Sequence, residues 1–149
     1  MLCGCTLTTV DPGRNFSLAD ISFDADYFYC HVEPELIFAK KCGPGDPAKG
    51  DASNGCHFNS SAVSAMVLID HPAVDCGGGD HPLSGMDVGS GSAAQSNLES
   101  VSFEMNKDYT TAPVYVRPSG LGGALYHPRQ IFDPNDPQVT TLLSTWASQ

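Results

Sequence analysis

The residues with the clearest chemical potential are Cys42, Cys56 and His57. A c-type haem is held by thioethers from two cysteines, and the histidine that directly follows the second cysteine ligates the iron. Cys56-His57 is such a pair, but 13 residues rather than the usual two separate Cys42 from Cys56. Those residues, Gly-Pro-Gly-Asp-Pro-Ala-Lys-Gly-Asp-Ala-Ser-Asn-Gly, are turn formers throughout and must form a loop. Lengthening a flexible loop adds little closure entropy, so its ends can meet. The same two cysteines could instead bond to each other, a link worth on the order of 3 kcal/mol through the unfolded state. His57 would then be a loop histidine without a role.

Other site chemistries have weaker support. A zinc set of Cys42, Cys56, His57 and Cys76 has the right ligand types but lacks close paired spacing. Asp46, Asp51 and Asn54 offer oxygen ligands outside the pattern of a calcium hand. Asn59-Ser60-Ser61 has the form of a glycosylation sequon only. Adjacent Cys and His residues rarely set thiolate against imidazole, and nothing resembles an oxyanion loop, so no enzyme chemistry is read. Cys30-His31 is a second Cys-His, but Cys30 has a better use with Cys76. His71 and His81 share the form Asp-His-Pro, for which exposure in a loop is expected.

Composition bounds the setting. A chain of 149 residues has the size of one domain. Seven basic against 17 acidic residues give a net charge of −10, which would repel phosphate backbones and excludes nucleic-acid binding. It suits a basic partner. No apolar run approaches the roughly 18 residues that span a bilayer. Four of the six cysteines, Cys30, Cys42, Cys56 and Cys76, sit in loop-like sequence and point to an oxidising, exported location. Leu2-Cys3-Gly4-Cys5 resembles the end of a bacterial lipoprotein signal, which implies a lipid on Cys5 and a membrane held through that anchor alone.

These residues must be positioned by short elements. Residues 6–26 read as an extended tether or short strands, so that 1–26 form a lipoprotein-type tether and the single domain spans 27–149. Residues 32–41 read as a helix, with Pro34 in its first turn, acids early and lysines late. Residues 60–69 read as a second short helix with Ala62, Val63 and Met66 on one side. Residues 70–92 read as a loop, 93–105 as a helix and 113–132 as irregular. The final helix is the clearest: Asp136 as N-cap, Pro137 first, then Val139, Leu142, Leu143 and Trp146 at i, i+3, i+4 and i+7. The expected fold is mainly α, small and loop-rich.

Several of these features recur together in one family. Val32-x-Pro34-x-Leu36, then Cys42, Cys56-His57 and Met66-x-Leu68, resemble the small bacterial envelope cytochrome c-like lipoproteins with an expanded Cys-x13-Cys-His motif. Pro118, the glycines 120, 122 and 123, an isolated His127 and a terminal helix with Trp146 resemble that family's carboxyl end. The resemblance implies a cytochrome c-like helical domain with one covalent haem c on Cys42 and Cys56, and His57 as proximal ligand. It implies His127 as the distal ligand, with Met86 as the alternative. The implied activity is electron transfer to a redox protein with a basic surface, possessed alone or within a membrane complex. With the haem attached, Cys30 and Cys76 remain as the natural disulfide. The rival reading is a haem-free, disulfide-stapled envelope lipoprotein serving as a structural or accessory subunit, with Cys42–Cys56 as its second bridge.

Overall fold

The computed structural model describes residues 22–51, 55–61, 66–122 and 127–149. Leu2 to Cys5, and with them the lipidation reading, lie outside the described residues. Among the described residues all regular structure is helical, and long connections link the helices. No described helix is long and apolar enough to cross a membrane.

The first helix, α1, is α-helical over Ala25–Tyr27 and continues as a π-helix over Phe28–Ala39. It starts well before residue 32. Asp24 caps it by accepting the Tyr27 N–H at 2.6 Å. Pro34 is therefore mid-helix, not in a first turn. Proline has no N–H and its ring crowds the carbonyl four residues back. A wider turn relieves that crowding, and Lys40 N bonds Glu35 O five residues back at 3.1 Å.

Two further helices, α2 (Ala93–Phe103) and α3 (Pro113–Val116), precede α4 (Pro137–Ser148). Ser92 caps α2 through Gln95 N. The short α3 lies within a stretch expected to be irregular; Pro113, pre-set for a first helical turn, starts it. The α4 pattern appears as read, with Val139, Leu142, Leu143 and Trp146 all buried. Trp146 is the centre of the core. Phe28 packs against it at 5.4 Å between ring centroids and Phe23 at 5.0 Å, while its indole N–H donates to Asp24 O at 2.9 Å. Residues 23 and 24, expected to be tether, thus belong to this packing.

The segment Met66–Ile69 is not helical. Leu68 N bonds His57 O at 2.9 Å, and Ile69 N bonds the Asn97 side chain at 2.7 Å. The backbone hydrogen bonds that a helix would have supplied go instead to a loop and to α2. Residues 62–65 lie outside the described residues.

The loop 70–92 folds back over α1. The Cys30–Cys76 disulfide joins the two. Three histidine–carboxylate contacts accompany it: His71 to Glu33 at 2.9 Å, His31 to Asp80 at 2.8 Å and His81 to Asp26 at 2.7 Å. His81 is exposed as expected, but the His71 side chain is only 12% exposed because the buried Glu33 carboxylate needs a partner.

Asp136 does two jobs at the start of α4. It accepts Gln138 N at 3.0 Å and pairs with Lys40 at 2.6 Å. The Lys40 hydrogen bond is the main reason its carboxyl sits below the ordinary value. Asp136→Ala is expected to lower the unfolding free energy by about 1–2 kcal/mol, read by urea titration. The sign with pH follows from the depressed value. This contribution is complete above the unfolded carboxyl near pH ~3.9 and disappears as pH falls through the lower folded value. The variant should therefore lose less stability than the parent in that acid range.

Candidate functional site

The site begins where α1 ends. Lys41 takes a left-handed conformation (φ 61°) and turns the chain so that Cys42 is buried. The loop that follows closes on itself. Cys56 N bonds Gly43 O at 3.0 Å, His57 N bonds Cys42 O at 3.2 Å and Phe58 N bonds Gly43 O at 3.1 Å. Gly43 must be glycine here, since a Cβ would meet the Phe58 ring at 2.4 Å. Residues 42 and 56 are thus held at one neck, as the turn-forming composition allowed.

The neck carries no disulfide: Cys42 and Cys56 are both free. Burial pushes the Cys42 thiol up to about 12. Burial and the neighbouring Asp51 carboxylate raise that of Cys56. Neither is a ready thiolate, so neither suits nucleophilic catalysis. The zinc set is also broken, because Cys76 is bonded to Cys30. Among the described residues no group of three or more His, Cys, Asp or Glu side chains is gathered as for a metal ion.

His57 and His127, distant in sequence, lie across one half-open cavity with ring centroids 6.3 Å apart and ring planes 22° from parallel. Each has its Nδ1 against a backbone carbonyl: Met66 O at 2.9 Å for His57, and Arg129 O at 2.5 Å for His127. A carbonyl only accepts, so Nδ1 is the donor in both rings. Burial, opposed by the Met66 hydrogen bond and aided by His127, pulls the His57 value down and keeps that ring neutral. An imidazole whose Nε2 is unpartnered can ligate a metal, and among the described residues both rings offer such an atom.

The remaining wall is mostly apolar, with Leu36, Ile37, Cys42, Met66 and Val114, and one ion pair, Arg117 to Glu104 at 3.3 Å. Met66 is thus a wall residue rather than part of a helix face. Cys56 is outside the wall, with the Asp51 carboxylate as its charged neighbour. Met86 is also outside it; its sulfur accepts the Asp75 N–H at 3.4 Å in the 70–92 loop.

Arg129 was not singled out by sequence reasoning, although it lies two residues from His127. It grips Asp51 through Nε–Oδ1 at 2.9 Å and Nη2–Oδ2 at 2.7 Å, a two-pronged bond that ties the Cys42–Cys56 loop to the His127 segment. The guanidinium holds the Asp51 carboxyl far below the usual range. Asp51→Asn is expected to cost about 3 kcal/mol, because it leaves a largely buried arginine unpaired. The wild-type contribution is present above pH ~3.9 and is lost only as pH falls through the depressed folded value. Thermal melts of both proteins between neutral and strongly acid pH would check the size and the sign.

No family model, characterised protein or solved structure matches this chain.

Proposed function

We propose that the protein is a monohaem c-type cytochrome of the cell envelope that transfers electrons. One observation carries this reading: His57 and His127 line one cavity, each with Nδ1 committed to a carbonyl and Nε2 without a partner among the described residues. The donor set fits the group. His57 and His127 would hold the iron, and Cys42 and Cys56 would form the thioethers. Cys42 is already in the wall, whereas Cys56 must leave Asp51 to reach a ring. The free volume, about 50 Å³, suits a water or two, so a porphyrin enters only as the half-open walls part.

When bound, the haem would supply a one-electron redox centre. Beyond the two thioethers, the chain's own residues would orient the group, exclude water and bind a partner, and none would make or break a bond during electron transfer. The helical, loop-rich architecture and the Cys30–Cys76 bridge agree with a cytochrome c-like domain. Export, and a lipid on Cys5, remain part of this proposal. The haem-free accessory lipoprotein needs Cys42 and Cys56 bonded to each other, and both are free.

The test is intact mass and absorption of the protein from a host with c-type maturation machinery. The expected result is a mass increase of one haem and a Soret band that survives acid-acetone extraction. A colourless protein, its mass short by four hydrogens for two disulfides, would overturn the reading in favour of the accessory subunit.

A further inference from the structure

We propose that Val67, Ile69 and Phe103 form the docking surface for a protein partner with an apolar centre and a basic rim. That the partner is a redox protein rests on the electron-transfer reading above.

These three side chains are 41%, 46% and 87% exposed, and their placement is fixed. Along α2, Asn97 holds Ile69 through the Ile69 N–H at 2.7 Å and Ile69 O at 3.0 Å. One turn later Ser100 donates to Val67 O at 2.9 Å. The segment therefore runs antiparallel to α2. Leu68 is buried between them, and alternation along an extended segment sends Val67 and Ile69 outward. Phe103 follows Ser100 by one further helical turn. The next residues in this register, Met66 on the segment and Glu104 on the helix, both line the cavity. The apolar face therefore begins at the rim of the cavity.

Charge selects the occupant. Asp70, next to Ile69, and Glu99, one helical turn before Phe103, are both exposed, in a chain of net charge −10. Two nearby cations in the sequence, Lys107 and Arg117, are already engaged. Lys107 donates to Ser22 O and Gln149 O, and Arg117 pairs with Glu104. An anionic membrane would be repelled by such a face, whereas a basic rim would be attracted. An aromatic anchor with an apolar surround is the usual centre of a protein contact.

The experiment uses the full chain on gold bearing either mixed amine- and methyl-terminated monolayers or carboxylate-terminated ones. Adsorption is read by microbalance and electron exchange by voltammetry. The parent should adsorb to the mixed monolayer, less so at higher ionic strength, and the Ile69→Ser/Phe103→Ser double variant about tenfold more weakly. Melting temperature checks that the variant is folded; if it is not, Phe103→Ser alone serves. Equal adsorption of parent and variant would overturn the proposal. So would tighter binding of the parent to phosphatidylglycerol vesicles, or a self-associated parent that the variant makes monomeric. Adsorption as expected without a voltammetric wave would support the docking surface and sink the haem reading.

Discussion

Replacing His127 by alanine is expected to convert the haem-loaded protein from a six-coordinate low-spin spectrum to a high-spin one, with the porphyrin still covalently attached. His127 stands on a segment separate from the Cys42–His57 neck, so on the proposed haem reading its removal would leave both thioethers and His57 in place. Added imidazole should restore the low-spin spectrum by taking the empty position. His57→Ala should act earlier and more severely. It removes the imidazole beside the attachment point, and the yield of attached haem should fall by about tenfold or more. Absorption and magnetic circular dichroism distinguish the two outcomes. An unchanged spectrum in His127→Ala would assign the distal position to another residue, with Met86 the first to replace.

The second large effect concerns stability. The Cys30–Cys76 bridge closes a sequence separation of 46 residues. A loop of that size confines the unfolded chain by about 4 kcal/mol. Small domains are stable by about 5–15 kcal/mol in all, so the loss is a large share. A Cys30→Ala/Cys76→Ala variant should melt about 10–15 °C lower, from about 2–4 °C per kcal/mol for a chain this size. The three histidine–carboxylate contacts that also join the 70–92 loop to α1 would remain, and two of them include exposed groups that add little. Calorimetry of the variant beside the reduced parent checks this. A melting point within a few degrees of the parent would mean that the loop is held by His71–Glu33 and packing instead.

Where sequence and structure agree, the signal was local. The α4 helix has a cap, a first-turn proline and a 3.6-residue stripe, all within a dozen residues. The closed loop between Cys42 and Cys56 follows from its composition, and the Cys30–Cys76 bridge from dividing the cysteines. The misses lie where a different period or a distant partner decides. In α1 the buried residues come as Phe28/Tyr29, Val32/Glu33 and Leu36/Ile37, a four-residue recurrence that a 3.6-residue template does not find. Asp24 was a visible cap, but the residues before 27 were read as tether. Met66–Ile69 has helix-compatible residue types, yet its hydrogen bonds go to His57 and to Asn97, far along the chain. His127 rested on family resemblance and on its isolated place between Tyr126 and a turn; the Arg129–Asp51 link that ties its segment to the neck loop spans 78 residues.

That link has a consequence for affinity. Arg129 anchors its side chain in the neck loop while its own carbonyl fixes the His127 ring. The entropy of bringing two distant imidazoles face to face is therefore spent during folding, before any ligand arrives. Such preorganisation leaves a ligand's contact energy to appear as binding rather than as ordering of the chain.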